Sequence, residues 1–269
     1  MTDFIAKLLV NGVAYEAGGD VYFSVRKATG YGGLSNRALD DLQAGARVEP
    51  GEHKQDPLDF ALWKAAKPGE PSWKSPWGPG RPGWHIECSA MSTKYLGDSF
   101  DIHGGGVDLV FPHHENELAQ AKEAGKPFAR YWVHNGLLTV NGEKMSKSLR
   151  NYITVEDALG RYPHPDYLKL FFLKTHYRSP IDYSEERMVE AKKNFEEFDG
   201  FFKHYDQATQ GISPTGGTGT FGGQARERFV QAMDDDLNTP QALAALFDLV
   251  NAGHRVLESS DSSALFAAK

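Results

Sequence analysis

His113 and Glu117 stand four residues apart in a run, His113 to Ala124, of good helix formers stopped by Gly125. On a helix that spacing puts both side chains on one face. With Cys88, the one cysteine of the chain, they offer a sulfur, a nitrogen and an oxygen. All three are accepted zinc donors, and zinc then needs a fourth ligand or keeps an open position. Helices also carry His-x3-Glu pairs by accident, so a plain helix face is the alternative. Five of the ten histidines lie between His85 and His134. His114 points off the face that His113 uses, which suits a hydrogen-bonding or packing role.

A second group is Lys144-Met145-Ser146-Lys147-Ser148, following a predicted strand at Leu137–Val140 and an Asn141-Gly142 turn. Lys144 and Lys147 could bracket a polyphosphate and offset charge developing on a leaving pyrophosphate. A solvated basic loop is the simpler reading of the composition. Gly104-Gly105-Gly106 lies between a predicted strand and a helix. It suits close approach of a ligand to backbone, or only a tight connection. Trp84 and Trp132 flank the histidines, as core packing or as a stacking wall.

The elements that must position these groups follow from 269 residues, enough for one large domain or two modest ones. Net charge is −7, with 40% hydrophobic and 24% charged residues, and the pI is about 5.8. That balance excludes disordered and collagen-like chains and argues against electrostatic coating of nucleic acid. Mean hydropathy is −0.49, and the apolar patch Leu170-Phe171-Phe172-Leu173 is far short of the roughly 20 residues a membrane span needs. The start, Met1-Thr2-Asp3-Phe4, has no secretory pattern. A single cysteine excludes an internal disulfide framework. The expectation is a cytoplasmic protein with no membrane and no DNA partner.

Along the chain, a helix tail covers Phe4–Leu9 and a strand Val21–Val25. Residues 36–56 read as loop. From Asp59 to Gly83, prolines and tryptophans predict an ordered lid that is neither helix nor strand. Then come a helix at His85–Tyr95, a short buried strand at Phe100–His103 and a strand at Tyr131–His134. This alternation predicts an α/β layer. Residues 153–205 read as helices, 207–224 as a linker, and Arg226–Met233 with Gln241–Leu257 as a helical hairpin.

Gly80-Arg81-Pro82-Gly83-Trp84-His85-Ile86-Glu87-Cys88-Ser89-Ala90-Met91, Phe111-Pro112-His113-His114-Glu115-Asn116-Glu117 and Lys144-Met145-Ser146-Lys147-Ser148, in that order, resemble cysteinyl-tRNA synthetase, a class I aminoacyl-tRNA synthetase. The likeness runs from about residue 5 to about 255. It takes in Ser75-Pro76-Trp77-Gly78 and Asp234-Asp235-Asp236-Leu237-Asn238-Thr239-Pro240. The resemblance implies an α/β fold, a partial Rossmann-like catalytic domain followed by an α-helical region. It implies that residues 1–152 are the C-terminal portion of the catalytic domain, with 1–80 a connective insertion. Residues 153–206 would be a stem-contact-like helical region, 207–224 a flexible linker, and 225–269 the start of a helical tRNA-binding domain.

The same resemblance implies activation of L-cysteine by ATP, with Mg2+, and its transfer to tRNA(Cys). Cys88, His113 and Glu117 match three zinc ligands, and one Zn2+ per chain would hold the substrate thiolate. Lys147 and Lys144 match the catalytic signature loop that engages ATP phosphates. Trp84 matches a tryptophan near the amino-acid pocket, and Gly106 and Asp108 fall where ATP ribose is contacted. Lys169, Lys174, Arg178, Lys192 and Lys193 could meet tRNA phosphates.

Departures from the pattern are specific. No His-Ile-Gly-His occurs, no second cysteine supplies a fourth ligand, and Arg150 stands where the family usually has glycine. These imply an internal fragment of such an enzyme, a monomer in the family but here associating through an exposed sheet edge. Two alternatives are carried: a ligase joining cysteine to an amino-sugar in mycothiol synthesis, and an inactive fragment that only binds.

Overall fold

The structure, a computed structural model, describes residues 1–39, 53–145, 151–210 and 220–258. It divides into two compact units, Met1–His134 and Asn135–Lys269.

In the first unit, α1 (Thr2–Val10) buries Phe4, Ile5 and Leu8, one stripe of a helix. The Asn11-Gly12 turn, with Gly12 at φ 75°, leads into β1 (Ala14–Ala17) and β2 (Asp20–Phe23). These pair antiparallel with Ala14 opposite Phe23. β3 (Phe60–Ala65) and β4 (Gly80–Pro82) complete an antiparallel sheet in the order β1-β2-β3-β4. The proline-rich stretch therefore does hold strands, contrary to the sequence expectation. Phe60–Ala65 contains no proline and can satisfy a ladder with β2. The apolar side chains of this sheet, with Ile86 and Ala119 from the helices beyond it, form one core.

Gly83, with extended backbone, is the N-cap of α2 (Trp84–Leu96). Next come β5 (Ser99–Gly106) and a wide turn over Val110–His114. α3 (Glu115–Glu123) and β6 (Phe128–Asn135), which pairs with β5, follow. Two expectations are corrected here. Strand β5 is not buried: Ser99, Asp101, Ile102 and Gly104 are exposed, and Tyr131 on β6 is exposed too. The three glycines are the end of that strand rather than a turn beyond it. Gly105 is needed for close approach, since a Cβ there would lie 2.9 Å from the His114 ring.

Glu115, buried at the start of α3, accepts hydrogen bonds from the backbone N–H of Gly32 (2.9 Å) and Ser35 (2.8 Å). It thereby ties the Gly32–Ser35 loop to the helix that carries Glu117. A carboxylate in a helix's first turn also complements the helix dipole.

In the second unit, β7 (Leu138–Val140), β8 (Glu143–Lys144) and β9 (Ile181–Tyr183) form a sheet in the order β8-β7-β9, with β7 and β9 parallel. β9 lies in a region expected to be helical. Gly136 allows the pairing: its N–H donates to Tyr177 O, and a Cβ there would sit 2.1 Å from Ser179 O. Helix α4 (Val155–Arg161) starts on a reciprocal cap between Thr154 and Asp157. Then come α5 (Pro165–Leu173) and the long α6 (Glu185–Ala208). Helices α7 (Thr220–Asp234) and α8 (Thr239–Glu258) follow as the expected hairpin. Helix α6 ends and α7 begins inside the stretch expected to be linker; residues 211–219 lie outside the described residues. Among the described residues, no helix is long and apolar enough to cross a membrane.

The turn between α7 and α8 is anchored by Asp236, which takes the positive φ of 52°. Its carboxylate accepts from Tyr177 Oη (2.8 Å) and from two nitrogens of Arg178. The Arg178 bond first, then the Tyr177 bond, hold its pKa down to about 2. The ordinary aspartate value in an unfolded chain is about 3.9. A depressed folded pKa means stabilisation present above the unfolded value and lost as pH falls toward about 2. Asp236→Asn should therefore flatten the acid limb of a Tm-versus-pH curve below about pH 4. Parallel curves for the two proteins would contradict this.

Candidate metal centre

Helix α2 presents Cys88 one turn beyond Trp84, while His113 closes the wide turn and Glu117 sits in the first turn of α3. The ligand atoms of Cys88, His113 and Glu117 all lie within 4.8 Å of one another. The i, i+4 spacing read from the sequence survives, although His113 lies just ahead of the regular helix, and His113 Nε2 is 2.7 Å from Glu117 Oε1. Two buried polar side chains hold the helices together beside this cluster, with Ser89 Oγ donating to Gln120 Oε1 at 2.6 Å.

Glu117 is fully buried. Its oxygens face the Nε2 atoms of His113 and of His103, the latter at 3.1 Å. Neither contact is a hydrogen bond, and no other donor among the described residues reaches either oxygen. A buried carboxylate left this way is costly unless a cation joins it. A sulfur, an imidazole nitrogen and a carboxylate oxygen around it are a donor set that suits zinc, with one coordination position open. The residues fit the metal.

Protonation agrees with that use. Burial first, then the charges of Glu117 and Glu87, push the Cys88 thiol up to about 11. A thiol so poised is no nucleophile at neutral pH; it loses its proton when a metal replaces it. Burial also lowers His85 to about 4 and His114 to about 3, with neighbouring imidazoles adding to the effect, and lowers His113. Neutral imidazoles are the form that ligates.

Around this centre lies a second ring that sequence reading did not assemble. His85 Nδ1 meets His113 Nδ1 at 2.8 Å, leaving the Nε2 of His113 directed at Glu117. Such a partner fixes the tautomer and orientation of a ligating histidine. His103, His114 and Glu117 also fall within 4.8 Å of one another, so Glu117 is shared by two groups. His114 Nδ1 meets His134 Nε2 at 2.7 Å, in keeping with the hydrogen-bonding role expected for it. Trp132 leans on His103 and stacks with His134. The clustering of histidines was the available signal; their pairing depends on strands β5 and β6.

Trp84 lies over His113, ring centroids 4.2 Å apart, and is nonetheless 58% exposed. It forms an open wall beside the cluster. Gly106 ends β5, and Asp108 stands exposed in the short turn after it. Lys144 ends β8, exposed, while Ser146, Lys147, Ser148 and Arg150 lie outside the described residues. Four of the basic residues expected to meet tRNA are paired with carboxylates: Lys169 with Asp166, Lys174 with Glu190, Arg178 with Asp236 and Lys192 with Glu196.

Comparison with known proteins gives a consistent picture. Residues 1–193 match the family model of the tRNA synthetases class I (C) catalytic domain, and residues 228–269 match the DALR domain. The chain is 59% identical over 252 residues to the Cysteine--tRNA ligase of Persephonella marina, covering 92% of this chain and 52% of the relative. It is 55% identical over 268 residues to that of Geobacter metallireducens, covering 96% and 54%. The chain thus spans about half the length of the curated relatives it matches. Among solved structures, Mycobacterium tuberculosis methionyl-tRNA synthetase bound by methionyl-adenylate superposes with a TM-score of 0.65 at 14% identity. That match covers 99% of this chain and 67% of the other, and shows a shared fold.

Proposed function

The chain belongs to the family of class I (C) tRNA synthetase catalytic domains, and from that premise we propose that it forms the thiol-reading half of a cysteine–tRNA ligase. The reaction would activate L-cysteine with ATP and pass it to tRNA(Cys). The observation that carries this reading is the convergence of Cys88, His113 and Glu117 within 4.8 Å, around a buried carboxylate without a hydrogen-bond donor.

Cys88, His113 and Glu117 would hold Zn2+, which supplies a position for a fourth, soft ligand. Such a position would favour a substrate thiol, which gives up its proton to a metal far more readily than the hydroxyl of serine does. Trp84, stacked on His113, bounds the space in which the amino acid lies. His85 keeps His113 turned toward the ligand position. Lys144 would offer a positive charge to the phosphates of ATP, with Lys147 three residues on in the sequence. Together they would offset charge on departing pyrophosphate once the cysteine carboxylate attacks the α-phosphorus. Gly106 and Asp108 are the proposed ribose contacts. No protein nucleophile is needed; positioning and electrostatics carry both steps. The DALR match at residues 228–269 supports tRNA as the acceptor, and no observation favours an amino-sugar.

Calorimetry of the zinc-loaded chain with L-cysteine and L-serine tests the reading. Cysteine should bind at least about a hundredfold tighter, since serine offers the metal only a hydroxyl. Equal affinities would overturn it.

A further inference from the structure

Strands β7 and β8 form a hairpin only two residue pairs long, with Thr139 opposite Lys144 and Val140 opposite Glu143. Its turn, Asn141-Gly142, takes φ of 52° and 79°, the primed geometry of two-residue hairpins. Both residues of β8 are exposed. A ribbon this short does not hold itself in water. Its fixings come from elsewhere in the same unit.

The main one is Asp182, in the middle of β9. Its Oδ1 accepts from Thr139 Oγ1 at 2.6 Å and from the backbone N–H of Gly142 at 2.7 Å. One oxygen therefore grips both the stem and the turn of the hairpin. Beside it, Tyr183 O accepts from Asn141 N at 3.1 Å. On the other side, Asn151 Nδ2 donates to Lys144 O at 3.1 Å. Lys144 itself extends from the strand that these contacts immobilise.

We propose that Asp182 is a positioning residue for Lys144, fixing the Asn141–Lys144 hairpin so that the lysine is presented to a polyphosphate in one geometry. What Lys144 does rests on the function proposed above; that Asp182 fixes the hairpin does not. A charged acceptor at a backbone N–H makes a stronger bond than a neutral one. Both bonds fall on one oxygen, so an amide in the same place can still accept them, whereas a methyl group accepts neither.

The test uses the full 269-residue chain, with amide exchange at Gly142 read by NMR and inorganic tripolyphosphate titrated by calorimetry. Asp182→Ala should speed exchange at Gly142 and weaken tripolyphosphate binding, each by about tenfold, the scale of losing hydrogen bonds to a charged group. Asp182→Asn should restore both to within about threefold, which loss of general stability would not do. Thr139→Val, which spares the bond to Gly142, is the milder variant should Asp182→Ala fold poorly; it should have an intermediate effect. Lys144→Ala should weaken tripolyphosphate on its own, and Asp182→Ala added to it should cost less than about twofold more.

Unchanged exchange at Gly142 in Asp182→Ala overturns the proposal. So do losses that multiply in the double variant. A wild-type chain that binds no tripolyphosphate contradicts the role given to Lys144, and the exchange data then decide the role of Asp182 alone.

Discussion

Cys88→Ser is expected to lower zinc affinity by on the order of a hundredfold or more while leaving the fold intact. A structural zinc site is worth about 10–16 kcal/mol in total, so one of a few ligands carries a share of that size. The replacement is close in shape, and Cys88 is only partly buried, so Tm in the absence of metal should scarcely move. The loss is chemical. Thiolate is a strong zinc donor; a serine hydroxyl would have to surrender a proton it holds far more tightly. Elemental analysis of the two purified proteins reads the effect directly. Equal zinc in both would contradict the ligand assignment.

Gly83→Ala should have the largest effect on stability. Gly83 has an ordinary backbone conformation, φ −70° and ψ 156°, so strain is not the reason for glycine. A Cβ there would stand 1.9 Å from Ala61 O and 2.8 Å from Ala61 C. Both are backbone atoms of β3, where Ala61 pairs with Tyr22 of β2. Gly83 also caps α2 and donates its N–H to Leu62 O at 2.9 Å. Relief requires α2 to move off the sheet, and α2 carries Trp84, His85 and Cys88. Overpacking of this kind costs about 1–3 kcal/mol, which for a chain of this size lowers Tm by roughly 2–12 °C. Zinc affinity should fall with it. Gly160→Ala is the control: a Cβ there meets nothing within 4 Å, in the last turn of α4. It should be neutral or slightly stabilising. If Gly83→Ala melts like the wild type, the close contact with β3 is wrong.

The part of the site written in local spacing was legible. His113 and Glu117 meet as their i, i+4 spacing predicts, although His113 lies in the turn ahead of α3, and the segment around Cys88 made its helix nearly to the residue. What was hidden depends on distant chain. His85 acquires its meaning from His113, 28 residues on, and Glu115 from amides about 80 residues back. No periodicity marks such pairs. Gly105 reads as a loop glycine until His114 is seen lying against it. Strand β9 was obscured because residues 153–205 read as helices, whereas the parallel pairing with β7 is a tertiary choice. Asp182 was invisible for the same reason: its partners, Thr139 and Gly142, lie about 40 residues away. Lys144 is placed, but its companion Lys147 falls outside the described residues.

The most direct test of the account is the absorption spectrum of the chain loaded with Co2+ in place of zinc. A thiolate bound to cobalt gives a charge-transfer band in the near ultraviolet that oxygen and nitrogen ligands do not. That band is expected in the wild-type chain and should be absent in Cys88→Ser. It should grow by about twofold on adding L-cysteine, as a second thiolate joins the metal, and not change with L-serine. A folded chain that shows no thiolate band, or one that answers serine as it answers cysteine, would contradict the claim that Cys88, His113 and Glu117 form a thiol-reading metal centre.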